Sequence, residues 1–196
     1  MSSKKILLTL LLLSALIKSQ AQSTSHLTTL ESGWFVSASL GYQMSGIKDE
    51  DFITSNYSPL FNTTVGMWIL PYIALQIGYK GFYFNTIADE AKHHYNYFYG
   101  EAVINFNELV VPSRINKSWN ILLHAGPGYF YNHTYRRPNL CTNIGLQNTY
   151  QITNQFQATL DITSIIGWDI YQGNRDILPG VTIGVTYFFN IEGIIE

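Results

Sequence analysis

From residue 33 onward the chain is written in a period of two. Trp34, Val36, Ala38, Leu40 and Tyr42 alternate with Ser37, Ser39, Gly41 and Gln43, the pattern of an extended strand with one apolar and one polar face. The same alternation returns in seven further stretches. Phe61, Thr63, Val65, Met67 and Ile69 oppose Asn62, Thr64 and Gly66, and Ile73, Leu75, Ile77 and Tyr79 oppose Gln76, Gly78 and Lys80. Phe98, Gly100, Ala102, Ile104 and Phe106 oppose Tyr99, Glu101, Val103 and Asn105. Trp119, Ile121, Leu123, Ala125 and Tyr129 oppose Asn120, His124, Gly126 and Gly128, with Pro127 marking a bulge or a position without a ladder bond. Ile144, Leu146 and Tyr150 oppose Asn143, Gly145, Gln147 and Thr149, and Phe156, Ala158, Leu160, Ile162 and Ile166 oppose Gln157, Thr159, Asp161 and Thr163. The last stretch sets Val181, Ile183, Val185, Tyr187 and Phe189 against Thr182, Gly184 and Thr186.

Helical periodicity is nearly absent, so the chain is predicted to be all-β. Alternation by itself does not say whether the apolar face turns into a core or outward into lipid. The polar face carries that information. It is built from Ser, Thr, Asn, Gln and Gly with few charges, Lys80, Glu101 and Asp161, where a water-facing strand surface would be rich in Lys, Glu and Arg. Aromatic residues also gather at strand ends, as Trp34, Tyr42, Trp68, Tyr72, Tyr79, Phe106, Trp119, Tyr129, Tyr150, Tyr187 and Phe189, where interfacial girdles form. The prediction is an eight-stranded antiparallel up-and-down transmembrane β-barrel of strands ~9 to 11 residues long. Closure removes the strand edges that hydrocarbon would leave unsatisfied. An even strand count puts both termini on one side, predicted to be periplasmic, with turns at 70–72, 107–118 and 152–155. The opposite loops are predicted at 44–58, 85–95, 132–139 and 167–178.

Composition sharpens this picture. Only 12% of the 196 residues are charged, about half the usual share for a soluble domain. Met1 to Lys5 followed by the apolar run Ile6–Ile17 and then Lys18-Ser19-Gln20-Ala21 reads as a secretory signal peptide over residues 1–21. The run is too short for a spanning helix. The expected organisation is therefore a signal peptide, a short periplasmic segment at 22–32, the barrel at 33–189 and a periplasmic tail at 190–196. Without the leader lysines the chain is acidic, a poor balance for nucleic acid. The single Cys141 excludes an intramolecular disulfide framework and a multi-cysteine zinc site.

Four segments resemble the eight-stranded barrel of OmpA-type outer-membrane proteins, in the form common among Bacteroidetes: Tyr97–Asn107, Leu122–Tyr129, Asn143–Thr153 and Gly180–Phe189. The resemblance covers nearly all of the chain after its leader. It implies a cell outer membrane of a Gram-negative bacterium, a role as envelope structure, adhesion surface or narrow pore, contact with outer-membrane lipids, and an aromatic-ended last strand read by the insertion machinery. The family's periplasmic peptidoglycan-binding domain has no counterpart here, so wall anchoring is not implied. The chain also continues past Phe189 as Asn-Ile-Glu-Gly-Ile-Ile-Glu.

The candidate chemistry lies on the polar faces. Lys80, Glu101, His124 and Asp161 fall on four different strands; inside a narrow barrel they must pair. They are expected to form an ion-pair and hydrogen-bond network, read either as a gate or as a static plug, the second favoured by an interior just wide enough for side chains. Arg136 and Arg137 sit where contact with lipopolysaccharide phosphate is conceivable, against the plainer reading of a solvated loop. His93 and His94, near Asp89 and Glu90, are adjacent on the chain and would point apart on a strand, so no metal site is expected. No cofactor is expected, and the sequence identifies no surface-loop ligand. The main reading is a non-enzymatic barrel with a structural, surface-binding or narrow-pore role. A lipid A acyl hydrolase or transferase, drawing on His94, Asp89 or Glu90 and one of Ser45, Ser55 or Ser58, is the alternative. A soluble ligand-binding barrel is the third.

Overall fold

In the computed structural model, residues 33–45, 56–85, 92–110, 118–168, 170 and 175–189 are described. The predicted leader, the segment 22–32 and the tail 190–196 lie outside the described residues. The period-two stretches become β1 (Trp34–Met44), β2 (Tyr57–Leu70), β3 (Ile73–Asn85), β4 (Lys92–Asn105), β5 (Trp119–Asn132), β6 (Arg137–Gln151), β7 (Phe156–Trp168) and β8 (Arg175–Phe189). Each strand pairs antiparallel with the next, and β8 pairs with β1, which closes the barrel.

The stagger of that closure follows from the register. From Thr186 the directly paired residues run through Ser37, Thr64, Gly78, Tyr99, Gly128, Cys141 and Gly167, returning to β8 at Asp176, ten residues from the start. Eight strands with this stagger tilt by about 40° and enclose a cylinder about 16 Å across between backbones, so side chains fill its interior. The strands are 11 to 15 residues long, longer than the alternation predicts. Pairing continues past the apolar stretches at the rim away from the termini, called here the far rim. There β4 begins at Lys92 and β6 at Arg137, inside segments expected to be loops.

Alternation resolves into an outside and an inside. Ile77 and Ile183 are 69% and 70% exposed, while Thr182 on the opposite face is wholly buried. No charged side chain is found on the outer face from Trp34 to Tyr42, from Ile73 to Asn85 or from Phe156 to Trp168. The interior is stratified. Toward the termini Phe35, Trp68, Ala74, Val103 and Leu122 pack together with Phe188 against them. Toward the far rim Phe84, Tyr95, Tyr97, Tyr99, Phe130, Cys141, Ile165, Ile170 and Leu178 form a second cluster. Trp68 therefore does not join the outer girdle. It shares parity with Thr64 and Gly66, which turns it inward, where its ring lies 6.4 Å from that of Phe35. Phe82 departs from its strand in the other direction. Its neighbours Leu60 and Tyr95 face inward, but a φ of 114° turns the Phe82 ring outward, 5.6 Å from Phe61.

The middle turn on the terminal side begins with one helical turn, α1 (Phe106–Val110). Asn105, the last residue of β4, supplies the cap: its Oδ1 accepts from the backbone N–H groups of Asn107 and Glu108, 3.1 and 3.3 Å away. The turns at 71–72 and 152–155 are short.

Candidate functional site

Between the two hydrophobic clusters lies a polar layer. β3 contributes Gln76 and Lys80, β4 Tyr99 and Glu101, β5 His124, β6 Asn143, β7 Asp161 and Thr163, all on inward-facing positions of their strands. Lys80 is 1% exposed. Its Nζ donates to Asn143 Oδ1 at 2.9 Å and to Thr163 Oγ1 at 2.7 Å, and it stands 5.3 Å from the Tyr99 ring centre. Thr163 Oγ1 donates in turn to Asn143 Oδ1 at 3.0 Å. The Asn143 amide donates to Glu101 Oε1, and Gln76 Nε2 donates to Glu101 Oε2 at 2.9 Å. His124 stands between two carboxylates, Nδ1 3.0 Å from Glu101 Oε2 and Nε2 2.9 Å from Asp161 Oδ1. Carboxylates only accept, so both contacts are hydrogen bonds when each ring nitrogen carries a hydrogen. An imidazolium at His124 and the ammonium at Lys80 then balance Glu101 and Asp161 charge for charge.

This layer crosses the lumen rather than following its wall. Lys80 on β3 reaches β6 and β7, and Glu101 on β4 reaches β6. His124 reaches Asp161 by passing over β6 at Gly145, where a Cβ would lie 2.3 Å from His124 Nε2. Only glycine leaves room for the ring. Above the layer Tyr95 Oη donates to Gln43 Oε1 at 2.7 Å, Gln43 Nε2 donates to the Tyr83 carbonyl at 2.8 Å, and Tyr99 Oη donates to Asn62 Oδ1 at 2.5 Å. Below it, Gln157 Nε2 donates to Thr149 Oγ1 at 3.0 Å.

The four charged candidates thus meet in one cluster, and the structure adds Gln76, Asn62, Asn143 and Thr163 to them. These neutral partners share the parity of the charged candidates on β3 and β7, of Thr64 on β2 or of Gly145 on β6, which is the signal that marks them in the sequence. The other candidates stand apart. Arg136, with φ 53°, and Arg137 are exposed at the turn between β5 and β6. His93 points inward, stacked 5.3 Å from Phe84 and 5.0 Å from Tyr135, while His94 faces outward 5.8 Å from Tyr83. Ser45 and Ser58 are buried inside and bond to the carbonyls of Asn85 and Gln43, on the other side of the wall from His94. Ser55, Asp89 and Glu90 lie outside the described residues.

A closed eight-stranded antiparallel cylinder has counterparts among solved structures. The chain is similar to the N-terminal β-barrel domain of Pseudomonas aeruginosa OprF, at 15% identity and a TM-score of 0.51 over 79% of this chain and 97% of that one. It is similar to Neisserial surface protein A (NspA), at 9% identity and a TM-score of 0.53 over 80% and 97% of the two chains. The chain has the eight-stranded outer-membrane β-barrel fold. A third likeness is to the outer membrane protein OprG from Pseudomonas aeruginosa, at 9% identity and a TM-score of 0.50 over 84% and 100%. At these identities the likeness is one of fold. No protein-family model matches the sequence, and no curated protein matches it.

Proposed function

We propose that this chain is a non-enzymatic β-barrel of a Gram-negative outer membrane, whose interior is a static plug and whose work is done by its outer face and far rim as envelope structure or binding surface. The observation that carries this reading is the polar layer bridging opposite walls between two hydrophobic clusters. To open a water path, Lys80, His124, Glu101 and Asp161 would have to exchange buried partners inside a cylinder just wide enough for its side chains. The apolar exterior supports the membrane address. A fully exposed Ile side chain costs about 1.5–3 kcal/mol in water relative to an apolar surrounding, so outer faces carrying Leu40, Leu75, Ile77, Leu140 and Ile183 favour lipid over water.

In this reading the termini end is periplasmic, the far rim is outermost, Arg136 and Arg137 lie at the level of lipopolysaccharide phosphate, and the aromatic end of β8, Tyr187 to Phe189, is what the insertion machinery reads. The resemblance to the Bacteroidetes form of OmpA-type barrels belongs to the same proposal. Reconstitution of the purified, folded protein in a planar bilayer is the test. Silence is the expected result, and steady conductance would overturn the plug. A comparison of lipid A acyl patterns with and without the protein addresses the enzymatic alternative, with an unchanged pattern expected.

A further inference from the structure

The barrel wall is interrupted between β4 and β5. Their pairing passes from Tyr99↔Gly128 directly to Ala102↔Ala125. The register is the same on both sides of the gap, so Gly100 and Glu101 lie opposite Pro127 and Gly126 without being paired to them. Proline has no N–H to give, and the ladder lacks a bond where it would be donated. Among the described residues the other pairings run unbroken, apart from a shift between Trp68 and Leu70 beside the turn. Pro59 and Pro179 also lie in strands, but they keep their pairings with Tyr42 and Ser164.

Two of the four residues in the gap carry no side chain, Gly100 on the outer face and Gly126 on the inner one. A Cβ on Gly100 would meet no atom nearer than 4.0 Å, and a groove of about 540 Å³ between Val65, Ile77, Phe98 and Pro127 lies over it. Glu101, the third, reaches inward across the gap. Its Oε2 stands 3.0 Å from His124 Nδ1 on β5, and its carboxylate also accepts from Gln76 on β3 and Asn143 on β6. His124 continues to Asp161 on β7 at 2.9 Å. Tyr97 leans from β4 over Gly128, where a Cβ would lie 2.4 Å from its Oη, but that hydroxyl has no hydrogen-bond partner and holds by contact alone. Among the described residues, the other side-chain bonds between β4 and β5 lie at the two ends, Asn96 to His133 at the far rim and Asn105 to Asn120 at the terminal side.

From this juxtaposition we infer that Glu101 and His124 form a strap across a seam in the wall: β4 and β5 part locally at Gly100 and Pro127 before any other strand pair does, and the strap holds them closed. Hydrocarbon offers no water to replace the missing ladder bond, so the restraint has to come from inside the lumen. Local opening is easiest where the fewest bonds must break. The inference gives the layer of the proposed plug a second task, and it does not depend on conductance.

The test uses the full chain in lipid vesicles, with amide hydrogen exchange read residue by residue by solid-state NMR. Exchange at Phe98, Ala102, Ala125 and Tyr129, which flank the gap, should be faster than along the β7–β8 ladder. His124→Leu should speed it about tenfold at those four amides and leave β7–β8 unchanged. Should that variant not fold, Glu101→Gln, which keeps the shape of the side chain, is read at the same amides with the same expectation. Pro127→Val restores an N–H to the seam; it should slow exchange there by itself and undo most of the increase caused by His124→Leu. A layer that only balanced charge would gain nothing from Pro127→Val. Exchange raised evenly around the barrel, exchange not raised at all, or an increase that Pro127→Val leaves in place would each overturn the strap. Conductance in a planar bilayer would overturn the plug and leave this exchange pattern standing.

Discussion

Asp161 on β7 reaches His124 on β5 at 2.9 Å by crossing over the strand that separates them. The contact exists because β6 offers Gly145 beneath it, and because Glu101 holds the other ring nitrogen at 3.0 Å. Removing one partner of such a buried arrangement leaves the others uncompensated, a loss of about 3–5 kcal/mol. His124→Leu, which leaves Glu101 and Asp161 without the ring between them, should lower the unfolding free energy in vesicles, read from urea titration, by an amount of that order. The double variant His124→Leu, Asp161→Asn should recover part of the loss, because it removes the repulsion together with the attraction and leaves Lys80 balanced by Glu101. A double variant no more stable than the single one would show that the charges are not what holds this layer.

Gly145→Ala tests the same layer without touching a charge. The added methyl would fall on His124 Nε2 and within 2.8 Å of the Ile162 carbonyl oxygen, so the ring must leave its place between the carboxylates. Overpacking of this kind costs about 1–3 kcal/mol. The expected readout is a lowered unfolding midpoint together with a changed imidazole nitrogen signal of His124 in solid-state NMR. Gly100→Ala is the control, since its Cβ would meet open space, and it should leave both unchanged.

Much of this architecture is legible in the sequence, and the reason is parity. A residue's face on a strand follows from whether its number is odd or even, so Thr182 inside and Ile183 outside can be read before any strand is paired. Height in the barrel cannot be read that way. Whether Lys80 meets Asn143 and Thr163 or some other pair depends on the ten-residue stagger accumulated over all the strand pairs, and each pairing adds its own register. Trp68 marks a narrower failure. Its position near a strand end suggests a girdle, whereas its parity with Thr64 and Gly66 already assigns it to the interior. Phe82 is the reverse case, a residue whose positive φ breaks parity and which no alternation pattern reveals.

The interior predicts electrical silence, and variants can distinguish a plug from a gate. Tyr95→Ala with Phe130→Ala removes two large rings, stacked 4.8 Å apart, from the far-rim cluster yet leaves the Lys80–Asn143–Glu101–His124–Asp161 layer intact below them. In a planar bilayer this double variant should remain silent like the parent chain. Adding Lys80→Ala and His124→Ala should be needed before conductance rises. A double variant that conducts would show that the aromatic cluster alone closes the lumen.

Ile183 decides the orientation on which the membrane address depends. It is 70% exposed and pairs with Leu40 and Leu160, both outward-facing apolar residues in the middle of the belt. Against hydrocarbon, an arginine at this depth costs about 2–4 kcal/mol, while one near an interface costs about 0–1 kcal/mol. Against water, Ile183→Arg would be near neutral and would improve solubility. Ile183→Arg should therefore lower the folding free energy in vesicles by the larger amount, and Tyr150→Arg, near the terminal end of β6, by the smaller one. The gradient between the two positions is what matters, because a general intolerance of arginine would penalise them equally. Equal small effects at both sites would place the apolar face in water and remove the basis for the proposed address.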